Sequence, residues 1–157
     1  YVRVWHGGAV IGADNEINGI TFAGVGSGTT VDHIEVAFNL DDGIEFFGGS
    51  VNVKYASVIF VGDDSIDTDM GYTGKIQFAF VLIGQDGHHG TEMDSKYDGS
   101  PRSFPQMYNA LFVSQLSQTV ASVSTDDTSL AVLRLREGTG GEFGNIIVTN
   151  NGYYGVY

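Results

Sequence analysis

One short phrase recurs along this chain at nearly constant spacing. It reads DDGIE at residues 41–45, DDSID at residues 63–67 and HHGTE at residues 88–92. The second copy follows the first by 22 positions, and the third follows the second by 25. A repeat of this length is typical of a solenoid, in which each coil covers the apolar face of its neighbour and no coil is stable alone.

The residues between these phrases have the pattern of short β-strands. Gly or Asn interrupts almost every window of ten, and apolar residues alternate or form short β-branched blocks, which argues against helices. A second set of strand-like segments interleaves with the phrases, at residues 32–36, 52–56, 76–80 and 107–111. The pattern predicts an all-β fold, a right-handed parallel β-helix of about five to six coils. An antiparallel sandwich or barrel is the alternative, although hairpin folds need not repeat a phrase at constant spacing.

The repeat covers most of the chain, so we expect a single β-helix domain over residues 1–157. Residues 95–106 hold both prolines and predict a loop inserted between coils. Strand-like residues at both ends, with no obvious cap, predict a fragment of a longer helix or a unit that self-associates end to end.

The charge of the chain limits its partners. Seven Lys and Arg residues against 19 Asp and Glu residues give a formal net charge of −12, which repels phosphate backbones and anionic lipid headgroups. No apolar run approaches the roughly 18 to 20 residues that cross a bilayer. We therefore expect neither nucleic acid binding nor membrane insertion. The absence of cysteine excludes disulfides and thiolate metal sites.

Strand alternation predicts an acidic column. Successive residues of a strand face opposite sides, so if Ile44 and Ile66 point inward, one outward column crosses four coils. That column contains Thr21, Glu45, Asp67 and Glu92, and the next contains Asp69 and Asp94. Because adjacent coils lie about 4.8 Å apart, stacked carboxylates raise each other's pKa or require a cation between them.

Three interpretations of the acidic residues stay open at this point. Calcium is one, because hard cations take oxygen ligands; its candidate ligands are Asp63, Asp64, Asp67 and Asp69. Catalytic carboxylates for glycoside hydrolysis are the second. In the third, the carboxylates cap turns by accepting backbone N–H bonds and otherwise face water. His88 and His89 add a candidate transition-metal site, although adjacent strand residues point to opposite faces.

Four segments carry a family resemblance. DDGIEFFGG at residues 41–49, VNVKY at 51–55, GDD at 62–64 and LRLREGTG at 133–140 resemble the pectin-lyase-like β-helix proteins that many microbes secrete or display. The resemblance covers residues 1–147. It implies a parallel β-helix in an extracellular or cell-surface protein.

A second resemblance is to polygalacturonase-type glycoside hydrolases. NLDDG at residues 39–43, GDD at 62–64 and GHHG at 87–90 follow the order of the three phrases in those enzymes. The resemblance implies an acid and a water-activating base with a histidine nearby, supplied by Asp42, Asp63 and Asp64 with His88 or His89. The first phrase has one residue too many, two histidines replace one, and residues 133–136 lack the Lys that would hold a uronate.

These observations predict a non-enzymatic β-helix module of the cell surface or extracellular matrix, contributing scaffold or carbohydrate contact and holding calcium. The alternative is a polysaccharide hydrolase or lyase. Four aromatic residues are candidates for stacking on sugar rings, although single aromatics on a solenoid more often belong to the core: Trp5, Tyr72, Phe104 and Tyr108.

Overall fold

The computed structural model describes residues 1–12, 15–96, 99–115 and 130–157, and the regular secondary structure in these ranges is β-strand. In chain order the strands are β1 (Val2–Trp5), β2 (Val10–Gly12), β3 (Asn15–Glu16), β4 (Ile20–Ala23), β5 (Thr30–Ala37), β6 (Ile44–Phe47), β7 (Asn52–Ile59), β8 (Ile66–Asp69), β9 (Lys75–Leu82), β10 (Thr91–Met93), β11 (Gln106–Val113), β12 (Ala131–Leu135), β13 (Glu142–Thr149) and β14 (Tyr154–Val156). These ranges contain no helix long and apolar enough to cross a membrane.

Twelve of these strands form two parallel sheets. Sheet 1 has the order β1-β5-β7-β9-β11-β13, and sheet 2 has the order β14-β12-β10-β8-β6-β4. Each coil thus contributes one strand to each sheet, and six coils stack along one axis. Ile44 pairs with Ile66, and Ile66 with Thr91, in parallel strands. The predicted parallel β-helix is confirmed, and the sandwich alternative is wrong. β2 and β3 form a small antiparallel pair beside the first coil.

Inward columns of apolar side chains form the core. On sheet 1, one such column contains Val36, Val58, Val81 and Phe112, all inaccessible to solvent. On sheet 2, Ile44 stacks on Ile66 in the same way. Burying an aliphatic or aromatic side chain stabilises a fold by about 1.5–3 kcal/mol. Because neighbouring coils cover these side chains, part of this stabilisation arises between coils.

The strands of sheet 1 from β5 onward are bent at one residue each. That residue has a positive φ of 50 to 59°, and the positions are His33, Tyr55, Phe78, Asn109 and Asn145. The bend places their side chains in a column outside the core. The rings of the first three stack with centroids 4.5 and 5.1 Å apart, and the side-chain amide of Asn145 donates to Oδ1 of Asn109 at 3.0 Å. Strand alternation did not predict this bend.

The segment between β10 and β11 is longer than the other connections that lead from sheet 2 to sheet 1. It packs on the corner after β8, since the hydroxyl of Ser103 accepts the Gly71 N–H at 2.9 Å and the Phe104 N–H donates to the Tyr72 carbonyl at 2.7 Å. The loop predicted at residues 95–106 falls on this segment, although residues 97 and 98 lie outside the described ranges.

Candidate functional site

The outer face of sheet 2 carries a column of acidic side chains. Thr21 lies beside Glu45, and Glu45 lies beside Asp67. Asp67 in turn lies beside Glu92, and Glu92 beside Arg134. The register therefore confirms the predicted column. It also places a cationic residue, Arg134, beyond Glu92, which the repeated phrase did not predict.

A second outward column lies next to the first. It begins with Phe47 beside Asp69, and Asp94 and Arg136 follow β10 and β12. The Arg136 guanidinium contacts a carboxylate oxygen of Glu92 and one of Asp94, each at 2.9 Å. At this end of the acidic face, the positive charge of Arg136 compensates the negative charges of Glu92 and Asp94. Within the described ranges, no cationic side chain forms an ion pair with the carboxylates of β6 and β8.

Side chains just before the strands of sheet 2 hold successive coils together. Oδ1 of Asp42 accepts the Asp64 N–H at 3.0 Å, and Oδ1 of Asp64 accepts the His89 N–H at 2.7 Å. Nδ1 of His89 then accepts the Ala131 N–H at 3.0 Å. Each side chain thus caps a backbone N–H of the next coil. Asp42 and Asp64 have the turn-capping role that was one of the three interpretations.

His88 joins two carboxylates near this ladder. Its Nδ1 lies 3.2 Å from an oxygen of Asp63 and 3.5 Å from one of Asp64. The Asp63 side chain is 48% exposed, whereas that of Asp64 is buried. The rings of His88 and His89 lie 3.8 Å apart. The expectation that these rings point to opposite faces is wrong, because both residues precede β10 and strand alternation does not apply to them.

The acidic side chains hold protons more tightly than usual. Burial first, and neighbouring carboxylates second, raise the pKa of Asp42, Asp64 and Asp67 well above its ordinary value. The same causes raise the pKa of Glu45 to about 7. Burial raises the pKa of Asp94 to about 6, although the nearby guanidinium lowers it. A bound cation would reverse these shifts by favouring the ionised carboxylates.

Potential metal ligands form three groups in the described part of the chain. Within each group the ligand atoms lie within 4.8 Å of one another: Asp42, Glu45 and Asp67; Asp41, Asp42 and Asp63; and Asp64, His88 and His89. The first two groups offer only carboxylate oxygens, as calcium prefers, whereas the third suits a transition metal. Three of the four predicted calcium ligands, Asp63, Asp64 and Asp67, therefore fall in three different groups, and the fourth, Asp69, belongs to none.

Glu45, like Asp42, belongs to the first group but is absent from the predicted calcium set. It is only 8% exposed, and the Asn18 side-chain amide donates to its Oε2. Its position beside Asp67 in the outward column was a signal available from the sequence. Its closeness to Asp42 was not, because that contact depends on how the turn before β6 folds.

The predicted catalytic residues are brought close to one another, with Asp63, Asp64 and His88 in contact. An Asp42 oxygen lies within 4.8 Å of an Asp63 oxygen. The carboxyl groups of inverting glycosidases stand about 6.5–9.5 Å apart to admit a water molecule. Oδ1 of both Asp42 and Asp64 is also occupied by a backbone N–H. The arrangement suits a shared cation better than an attacking water.

Of the comparisons with known proteins, the one with family models agrees with the observed fold. No curated protein and no solved structure gives a significant match to the chain. The family model described as the pectate-lyase-like β-helix domain matches residues 1–156. That match and the stacked parallel coils lead to one conclusion: the chain belongs to the family of pectate-lyase-like β-helix domains.

Proposed function

We propose that this protein is a β-helix scaffold of the extracellular matrix or cell surface, stabilised by a calcium ion on the outer face of sheet 2. The ligands are Asp42, Glu45 and Asp67. The observation that carries the proposal is the approach of these three carboxylates to within 4.8 Å of one another across adjacent coils. A cation between them would bind two coils together.

The chemistry of the group favours a hard cation. All three ligands are carboxylates, and Asp42 and Glu45 are buried. Oδ1 of Asp67 is enclosed and has no hydrogen-bond partner among the described residues. A buried carboxylate oxygen without a partner is costly, and a cation removes that cost. Calcium tolerates irregular sets of oxygen ligands better than magnesium does.

Thermal unfolding tests the calcium proposal. At a free calcium concentration about 100 times Kd, a site present only in the folded state adds about 2.7 kcal/mol, or roughly 5–10 °C in Tm for a chain of this size. We expect this increase in the wild type and its loss in Glu45→Gln and Asp67→Asn. Asp86→Asn removes one exposed carboxylate outside the three groups and should keep the full increase. An unchanged wild-type Tm would remove the proposal.

A polysaccharide hydrolase or lyase is the second candidate function. The contact of His88 with the half-exposed Asp63, beside buried Asp64, supports it. Under this alternative the protein releases new chain ends from a polysaccharide, and Asp63→Asn abolishes that release. Under the scaffold proposal no new chain ends appear with the wild type. A reducing-end assay, with absorbance of unsaturated products for lyase activity, separates the two.

Carbohydrate contact is part of the scaffold proposal. Its support is the net charge of −12 and the exposed aromatic side chains of sheet 1, which together favour an uncharged partner with apolar faces over an anionic one. An extracellular or cell-surface location follows from the same proposal.

A further inference from the structure

A groove runs along the outside of sheet 1, on a different face from the acidic column. Its volume is about 720 Å³, within the range of small-molecule sites. One wall is the ring column formed by His33, Tyr55 and Phe78. The other wall is a second outward column, two residues further along each strand, and it contains Glu35, Ser57 and Phe80.

The bend in the strands produces the first wall. At a positive φ the backbone turns, and the side chain at the bend projects away from the sheet. Neighbouring rings then stack face to face, with planes 28° apart for His33 and Tyr55 and 8° apart for Tyr55 and Phe78. Their faces cover one another and their edges line the groove. Tyr55 and Phe78 remain 45% and 39% exposed.

The second wall has a gap at Ser57. The register places Glu35, Ser57 and Phe80 in one column across three coils. The small serine side chain lies between two larger ones, and Ala56 beside it is buried. The gap leaves a recess one coil wide, bounded by the Glu35 carboxylate on one side and the Phe80 ring on the other.

The rim of the groove carries a compensated pair of charges. The Arg3 guanidinium lies 3.5 Å from the Glu35 carboxylate, and the Trp5 indole N–H donates to the same carboxylate oxygen at 2.8 Å. Planar charged groups of this kind hydrogen-bond readily to paired hydroxyls. Because the pair is neutral overall and the whole chain is strongly acidic, the groove does not favour an anionic ligand.

We propose that this groove binds a neutral pyranose unit of a polysaccharide, with the sugar ring seated over Ser57. A pyranose has apolar C–H groups that pack on aromatic surface, here Phe80 and the exposed edge of Tyr55, and hydroxyls that reach the Glu35 carboxylate and the Arg3 guanidinium. The inference rests on the carbohydrate contact in the proposed function and gives that contact a site. It does not depend on calcium.

The fluorescence emission of Trp5 reports ligand binding in the groove. This residue is the only tryptophan of the chain, and its indole shares the Glu35 carboxylate with the groove. Titration with laminarin, mannan or dextran should give a saturable change in Trp5 emission for at least one of them. Ser57→Phe fills the recess at an outward position whose neighbour in the column is already Phe80. We expect it to weaken binding by at least about tenfold while the circular dichroism spectrum is kept.

Two comparisons make the test decisive. Thr30→Phe adds the same bulk at an exposed position of β5 outside the groove and should bind like the wild type. The wild type should bind equally well in calcium and in a chelator, which separates this inference from the calcium proposal. Absence of binding to all three glycans, preference for polygalacturonate, or equal loss of binding in Ser57→Phe and Thr30→Phe would overturn the groove assignment.

Discussion

At the scale of single residues, the aspartates just before the strands of sheet 2 are structural. Asp64 both accepts the His89 N–H and has its own N–H bound by Asp42. A buried backbone N–H without an acceptor costs about 1–3 kcal/mol. Burial and neighbouring carboxylates also raise the pKa of Asp64, so we expect the fold to depend more on its acceptor oxygen than on its charge.

Two substitutions of Asp64 separate the contribution of its acceptor oxygen from that of its charge. Asp64→Ala leaves the His89 N–H without its acceptor and should lower the free energy of unfolding by about 1–3 kcal/mol. Asp64→Asn keeps an acceptor oxygen and removes the buried ionisable group, so it should cost clearly less. Urea unfolding at pH 7 measures both. Equal losses would mean that the charge itself stabilises the fold.

At the scale of the strands, the outward column of sheet 2 links stability to pH. Carboxylates on neighbouring strands of a parallel sheet lie about 4.8 Å apart along the whole column. Glu45 has a pKa of about 7 in the folded chain, against an ordinary value of 4.5. Between these values the unfolded chain loses its proton while the folded chain keeps it. The contribution of Glu45 to stability is therefore fully present below pH 4.5 and is lost as the pH rises to 7.

In the presence of a chelator we therefore expect the wild-type Tm to fall as the pH is raised from 4.5 to 7. The Glu45→Gln variant has no ionisable group at this position, so its Tm should fall less over the same pH range. Asp42 and Asp67, whose pKa values are also raised, act in the same direction. Added calcium should oppose the fall, since it stabilises the ionised carboxylates. A Tm that rises with pH in the chelator would contradict the role of this column.

At the scale of the whole molecule, the chain carries a formal net charge of −12, and its described strands stack in six coils. Charge repulsion in such a molecule is screened by any salt, with a Debye length of about 8 Å at 0.15 M ionic strength. The calcium-dependent increase in Tm must therefore be measured against sodium chloride at equal ionic strength. Only the part of the increase in Tm that exceeds the increase in sodium chloride indicates a bound calcium ion. The two faces of the solenoid place the proposed cation and sugar sites on separate sheets.

The sequence by itself determined the β-helix fold and the acidic column on the outer face of sheet 2. The spacing of the phrase at residues 41–45 and 63–67 sets the coil length, and strand alternation then puts Glu45 above Asp67 on the outside. Both inferences use only local periodicity, because a parallel register repeats the same position in every coil. The column from Thr21 to Glu92 could be predicted for this reason.

Only the tertiary structure decided which acidic residues share a site. Asp63 and Asp64 are neighbours in the chain, yet one is half-exposed and the other buried. The difference arises in the turn before β8, whose backbone has no simple period. The aromatic column was hidden for a related reason: Tyr55 and Phe78 adopt a positive φ that isolated aromatic residues rarely take, and stacking between coils stabilises it. Burial, turn conformation and contacts between coils depend on packing in three dimensions, which strand periodicity does not specify.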